Sequence, residues 1–288
     1  MPCSIYDPEL DIVKIDTKKE HNPLISVCFE PTNRCQGMCP YCLIERHKPD
    51  IALDKAITYV DLLNQLGTRR IGWGGGEPLL FPGIYDLGTY ARGLNMGSLL
   101  RTSGTFTIDA SEAISAFDWV DVSLDSIDPN VFSQCRPGVS FEKLIYNIVS
   151  LSPILRVRVS ILLTSVNKNS LFETIKWASA TGVRCVRIQT LVPRGRAKSR
   201  YGQLSVDPSI EHKLIEEAIN YAESLSLPCY ELKSVSKGLI AILKPNGDIY
   251  SGDPAGIVKL GNLEDDQISI LIANALGDSH RSHYAIGQ

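Results

Sequence analysis

Apolar residues along this chain fall in short runs separated by longer amphipathic stretches. Runs of strand length occupy residues 24–30, 70–74, 98–102, 119–124, 155–164 and 183–191. Between them lie 53–66, 84–92, 108–116, 141–151 and 171–180, where apolar positions recur at helical spacing. Strand and helix in alternation predict βα units with a parallel sheet. Six strands in this pattern predict an α/β fold, a (β/α)₆ partial TIM barrel, an arc of the closed form. An open doubly wound sheet carries the same periodicity and stays open as an alternative.

Strands covered on both faces should be almost uniformly apolar, and two runs are not. Val120, Val122 and Leu124 alternate with Asp121, Ser123 and Asp125, and Val157, Val159, Ile161 and Leu163 alternate with a set containing Arg156, Arg158 and Ser160. Period-2 geometry puts each polar set on one face. In a barrel arc that face lines a wet or ligand-filled lumen; in an edge strand it would face solvent. Arg156 and Arg158 are costly to bury unpaired, so Asp121, Asp125 or a substrate carboxylate is the expected partner.

Past residue 192 the pattern changes. Arg194, Arg196, Lys198 and Arg200 make a basic loop, either solvated or facing an anionic substrate. Asp207-Pro208 is a cap and first turn for a helix to about 225, and Lys244-Pro245-Asn246-Gly247 is a hairpin signal between strands 238–243 and 248–250. A last helix is predicted over 268–276. The expected organisation is an N-terminal segment (1–23), the barrel (24–200) and a small α+β C-terminal extension (201–288). Asn167 reads as a turn residue.

Composition adds constraints. The 288 residues are 44% apolar and 21% charged with a net charge of −3, which gives no field favouring nucleic acid or an anionic membrane. No run approaches the roughly 20 apolar residues of a membrane span. The acidic N-terminal stretch has no signal-peptide core, so the expected compartment is the cytoplasm, where thiols stay reduced. Eight cysteines there do not suggest a disulfide framework, least of all Cys35, Cys39 and Cys42, which fall within eight residues.

Those three follow the first strand in Cys35-Gln-Gly-Met-Cys39-Pro-Tyr-Cys42. Thiolates at such spacings in a bent loop suit an iron–sulfur cluster. Three ligands leave one iron of a [4Fe-4S] cube open. Zinc competes, with His47 as a fourth ligand in a closed Cys₃His site, which would make the chain a zinc-stabilised binding module. Gly74-Gly75-Gly76-Glu77-Pro78 follows the second strand, where backbone can approach a ligand closely.

Together the cysteine motif, Tyr41 before its last cysteine, and Gly-Gly-Glu-Pro resemble the radical S-adenosylmethionine (radical SAM) superfamily. The resemblance implies one [4Fe-4S] cluster on Cys35, Cys39 and Cys42, whose open iron chelates S-adenosylmethionine. It implies reductive cleavage to methionine and a 5′-deoxyadenosyl radical that abstracts hydrogen from substrate. Gly75, Gly76 and Glu77 match the segment binding the methionine amino group, and Tyr41 the aromatic at the adenine. Ser103 stands where a Thr-Asn-Gly segment usually has Asn. Ser123 and Asp125 resemble residues near the methionine carboxylate and ribose, and Leu191 and Val192 resemble the strand-six adenine contact.

The back half is similar to the branch with a SPASM or twitch extension, through Val-Pro-Arg-Gly-Arg-Ala at 192–197, the hairpin at 244–249 and Gly261-Asn262-Leu263. The extension's usual cysteines are missing here, so it is expected to form a lid without an auxiliary cluster. That implies a redox-neutral or reductive outcome such as epimerisation, rearrangement or cyclisation. Epimerisation needs a hydrogen donor, and Cys135, in the loop after strand four, is the candidate. Cys185 is expected to face the lumen, while Cys28 is taken as structural. The expected substrate is a small polar molecule, since about 24 residues before strand one are too few for a peptide-recognition domain. Alternatives are a peptide maturase with a separate recognition protein and a nucleotide-modifying enzyme of the viperin kind. A flavodoxin or ferredoxin is the expected electron donor.

Overall fold

The computed structural model describes residues 4–15, 24–44, 49–232, 240–251 and 258–268. A hairpin of β1 (Ser4–Asp7) and β2 (Ile12–Ile15) precedes the barrel. The arc follows as β3 (Ser26–Thr32), α1 (Leu53–Gln65), β4 (Arg70–Gly75), α2 (Ile84–Gly93), β5 (Gly97–Thr102), α3 (Ala110–Ala116) and β6 (Trp119–Ser123). It continues with α4 (Pro129–Cys135), α5 (Phe141–Leu151), β7 (Arg156–Leu163), α6 (Leu171–Ala180) and β8 (Cys185–Thr190). After it come α7 (Tyr201–Leu204), α8 (Pro208–Ser224), β9 (Cys229–Glu231), β10 (Ile240–Leu243), β11 (Asp248–Ser251) and β12 (Lys259–Asn262).

The strands of the arc lie side by side in sequence order, β3-β4-β5-β6-β7-β8, all parallel. A doubly wound sheet reverses its strand order partway; this one does not, which settles the fold as a (β/α)₆ arc. Several helices begin where a short polar side chain caps them. Asp109 accepts from the amides of Ser111 and Glu112, Asp128 from Asn130 and Val131, and Asp207 from Ser209. On the outer face Phe29, Trp73, Leu100, Val120, Val122, Val159 and Ile188 pack against Tyr59, Leu63, Leu87, Leu144, Ile148 and Ile175 of the helices. Each such side chain contributes about 1.5–3 kcal/mol by leaving water. Trp73 packs against Phe29 with ring centroids 5.7 Å apart and planes tilted by 40°, and donates from Nε1 to Ser98 Oγ at 2.8 Å.

The inner face carries the polar phase, and its lower end is stoppered by the N-terminal hairpin, which the sequence reading left as an undivided segment. Asp11, at φ +53° in the hairpin turn, is buried under the strands. It accepts from Arg70 Nε at 2.6 Å and Nη2 at 2.5 Å, and from Arg158 Nη2. Trp119 Nε1 donates to Pro8 O at 2.7 Å, and the Tyr6 ring fills the space that a side chain on Gly97 would need.

In its described residues the C-terminal extension lengthens the sheet at both edges: β9 adds in parallel to β8, and β10 in parallel to β3, followed by β11 and β12. A bare strand edge at each end of an open arc is a pairing hazard, and these strands cover it. Residues 252–257 and most of the last predicted helix lie outside the described residues.

Candidate functional site

Both sequence motifs sit at the C-terminal ends of neighbouring strands, and they are joined through backbone. The amide of Gly76 donates to Thr32 O at 2.9 Å, and that of Glu77 to Arg34 O at 2.8 Å. A Cβ on Gly76 would fall 2.0 Å from Arg34 O, so only glycine permits this approach. The entry to the cysteine loop is thus fixed by the glycine run. Glu77 itself is buried and turned inward. It accepts from Thr102 Oγ1 at 2.7 Å, the Ser103 amide at 2.8 Å and Ser103 Oγ at 2.5 Å. Burial raises its pKa, and these hydrogen bonds oppose the rise. Ser103 also accepts from Gln36 Nε2 at 2.8 Å, so it ties Glu77 to the cysteine loop.

Cys35, Cys39 and Cys42 are half-buried on this one loop. An atom placed at the Cβ position of Gly37 would lie 3.7 Å from both Cys35 Sγ and Cys39 Sγ. The Cys42 amide donates to Cys39 O at 3.3 Å, and the Ile44 amide to Cys42 Sγ at 3.5 Å. Among the described residues no three His, Cys, Asp or Glu side chains converge closely enough to hold one metal ion. A single zinc draws its thiolates to about 2.3 Å, whereas a cubane takes them at separate corners, which suits thiols borne on one loop, two of them beside Gly37. The donor set fits a [4Fe-4S] cluster on Cys35, Cys39 and Cys42. His47 lies outside the described residues.

The basic segment after β8 clasps this loop from the other side. The Arg196 amide donates to Cys42 O at 3.0 Å, and Arg196 Nη1 to Cys39 O at 3.3 Å. Gly195, at φ +54°, passes so close that a Cβ there would sit 2.4 Å from Cys42 O. Leu191 is buried against Tyr41, Cys135 and Leu204, while Val192 beside it is half-buried.

Asp125 lies at the centre of the far wall and is fully buried. It accepts from the Leu162 amide at 2.8 Å and the Tyr41 hydroxyl, and pairs with Arg136 Nε at 2.7 Å. Its oxygens are therefore committed to the protein, and the residue positions Tyr41 and Arg136 rather than presenting a free carboxylate. The Arg136 guanidinium, which sequence reasoning missed as a functional group, stacks 5.8 Å from the Tyr41 ring. Ser123 is half-buried at the end of β6. Asn167 is more than a turn residue: it is buried, accepts from the Thr164 amide at 2.8 Å and donates to Asp125 O at 2.7 Å, locking β6 to β7.

Cys135 is the last residue of α4 rather than part of a loop, and it is 1% exposed in the apolar cluster under Tyr41 and Leu191. Burial pushes its thiol up to about 12. Cys28 faces the lumen: it shares its strand phase with Glu30 and takes a contact of 3.6 Å from Arg101 Nη1. Cys185 sits on the lumen floor with Leu99, Trp119 and Tyr230. Cys229 packs against the outer core.

The lumen above Asp11 is a charged layer. Arg187 Nη2 pairs with Asp121 Oδ2 at 2.6 Å, Arg158 Nε stands 3.7 Å from the same oxygen, and Ser160 Oγ donates to Oδ1. The expected pairing of Arg158 with Asp121 is thus present. Arg156, by contrast, pairs with Glu9 on the hairpin. Lys244 of the extension reaches Glu30 at 2.6 Å. Among the described residues no helix is long and apolar enough to cross a membrane.

Known proteins agree with this geometry. Residues 29–192 match the Radical SAM superfamily. The mycofactocin maturase MftC of Mycobacterium tuberculosis is 28% identical over 188 residues, covering 62% of this chain and 48% of that protein. GTP 3′,8-cyclase of Clostridium perfringens is 26% identical over 186 residues, covering 59% and 56%. The chain therefore spans about half the length of the curated relatives it matches. Streptococcus suis SuiB, solved bound to the precursor peptide SuiA, superposes with a TM-score of 0.73 at 14% identity over 90% of this chain and 67% of that one. The match covers both cysteine and glycine motifs and the whole arc, which sets aside a non-catalytic zinc module: this chain belongs to the radical SAM superfamily and is an enzyme.

Proposed function

We propose that this radical SAM enzyme abstracts hydrogen from a small polar substrate held in the barrel lumen, with a redox-neutral or reductive outcome. The observation that carries the reading is the lumen itself, where Arg101, Arg158, Arg187 and Asp121 face inward beneath the cysteine loop. A polar lining of this kind suits a polar substrate, which can take up the donors that Asp121 and Asp11 leave over. When bound, the cluster and S-adenosylmethionine supply a one-electron cleavage that yields a hydrogen-abstracting radical. The chain's residues do the rest. Cys35, Cys39 and Cys42 hold the cluster; the backbone of Gly75, Gly76 and Glu77 and the hydroxyl of Ser123 orient the methionine moiety. Tyr41, Leu191 and Val192 wall the adenine pocket, and Arg136, held by Asp125, offers a cation beside it.

The sequence has no cysteine after Cys229, which supports a single cluster. Without a second cluster to accept an electron, a net oxidation has no outlet in this chain. Where hydrogen is returned to substrate, Cys28, buried but on the inner face of β3, is a candidate alongside Cys135. Reduction of the cluster needs an external donor of the flavodoxin or ferredoxin type, in a reducing compartment such as the cytoplasm.

A second reading, peptide modification, is favoured by one observation: MftC is named a maturase and SuiB holds a precursor peptide. Anaerobic incubation with dithionite, S-adenosylmethionine and deuterated candidate substrates separates the two. Deuterium recovered in 5′-deoxyadenosine from a small metabolite supports the first reading. Recovery only from peptides replaces it with the second.

A further inference from the structure

Among the described residues, the charges inside the barrel do not balance. Four guanidiniums, those of Arg70, Arg101, Arg158 and Arg187, face two carboxylates, Asp11 and Asp121, while Glu30 is matched by Lys244. Arg70 and Arg158 are engaged. Arg70 makes two hydrogen bonds to Asp11 and one of 3.2 Å to Ser26 Oγ, and Arg158 binds Asp11 and, at 2.6 Å, Tyr230 Oη. Arg187 and Arg101 are only partly engaged. Arg187 is 7% exposed, yet only Nη2 is committed, to Asp121, and its buried Nε meets no acceptor.

Arg101 lies across Gly72, whose missing side chain leaves it room: a Cβ there would sit 3.4 Å from the guanidinium carbon. Its Nε is likewise buried without an acceptor, and its one hydrogen-bond contact is the weak one to Cys28 Sγ. The two cations also feel each other. Burial lowers the pKa of Arg187, Asp121 opposes the fall, and the charges of Arg158 and Arg101 add to it. Arg101 is half-buried and makes no ion pair among the described residues, so Arg187, Arg158 and Arg101 all lean on the one carboxylate of Asp121, an excess of positive charge that is costly away from water. Guanidinium forks are shaped to hold planar or tetrahedral oxyanions with paired donors.

We propose that the substrate enters the lumen through an oxyanion, a carboxylate or phosphate, held between Arg101 and Arg187. The proposal rests on the lumen being the substrate site, and it narrows the substrate class to anions. Its test is thermal unfolding of the anaerobic holoenzyme at constant ionic strength, with chloride replaced stepwise by inorganic phosphate or acetate. The expected result is a saturable rise in midpoint with at least one of these ions. Its apparent dissociation constant weakens about tenfold in Arg101→Gln and in Arg187→Gln, and less in Arg101→Lys. Midpoints in chloride alone show that each variant is folded; Arg101→Gln removes no ion pair and keeps the comparison usable if Arg187→Gln does not fold. A midpoint that moves with neither ion, or moves equally in wild type and Arg101→Gln, overturns the proposal. Formation of 5′-deoxyadenosine by the wild-type preparation is scored separately, so failure of the catalytic reading and failure of the anion site give different results.

Discussion

Asp125 and Arg136 form a buried ion pair at 2.7 Å, and the same carboxylate takes the Tyr41 hydroxyl from the cysteine loop and the Leu162 amide from β7. One side chain therefore fixes three segments around the cofactor pocket. Asp125→Asn keeps the shape but leaves the Arg136 cation uncompensated. Loss of a buried charge partner costs about 3–5 kcal/mol. The variant is expected to unfold at lower denaturant and to bind S-adenosylmethionine more weakly, both measurable on the reconstituted protein. A midpoint within error of wild type would contradict this role.

Asp11 holds the hairpin into the barrel floor, and its effect has a defined pH sign. Burial alone would raise its pKa, but Arg70 and Arg158 outweigh that and hold the carboxyl well below the usual carboxylate range. A depressed folded-state pKa adds stability above the unfolded value of about 4, and that stability is lost as pH falls below it. Asp11→Asn should destabilise the protein at pH 7, and the gap from wild type should narrow progressively below about pH 4. Denaturation midpoints of both proteins across that range check it; a gap independent of pH would contradict it.

Gly195 is the tightest point between the basic segment and the cysteine loop. Its φ of +54° and the 2.4 Å approach to Cys42 O leave no room for a methyl group. Gly195→Ala is expected to lower iron content per chain after anaerobic reconstitution. Gly202, which has nothing within 4 Å of its Cβ position, is the control, and Gly202→Ala should load as wild type does.

The thiols should differ in reactivity. Burial pushes Cys135 up to about 12 and Cys229 also to about 12, whereas the cluster cysteines sit half-buried on an accessible loop. Thiolate fraction and access govern alkylation. With iodoacetamide at pH 8, mass spectrometry of folded apoprotein should find Cys35 or Cys42 modified first, Cys39 later because burial raises its thiol pKa, and Cys135 untouched until denaturant is added. Early modification of Cys135 would contradict its placement.

The arc was legible because its signal is local: strand runs, helical spacing and caps such as Asp207-Pro208 all act within a few residues. The cysteine and glycine motifs were legible for the same reason. What escaped is non-local. Asp11 meets Arg158 across 147 positions of sequence, and β10 joins β3 across the whole barrel. Neither leaves a periodic trace. The helix α4 was missed although Asp128-Pro129 marks its start by the rule that located α8. Cys28 was set aside as structural, yet its alternation with Val27 and Phe29 and its shared phase with Glu30 already pointed it inward. Arg156 and Arg158 share a phase but part ways, because Arg156 lies at the strand's first residue, where the hairpin's Glu9 reaches it.

The central claim is that three thiolates hold a cluster with one iron free for S-adenosylmethionine. Electron paramagnetic resonance of the dithionite-reduced holoenzyme, recorded before and after adding S-adenosylmethionine, tests it most directly. The account predicts a [4Fe-4S]⁺ signal whose g-values shift on addition and which is absent from a Cys35→Ala, Cys39→Ala, Cys42→Ala variant. A signal that is unchanged by S-adenosylmethionine, or one that survives in the triple variant, would contradict it.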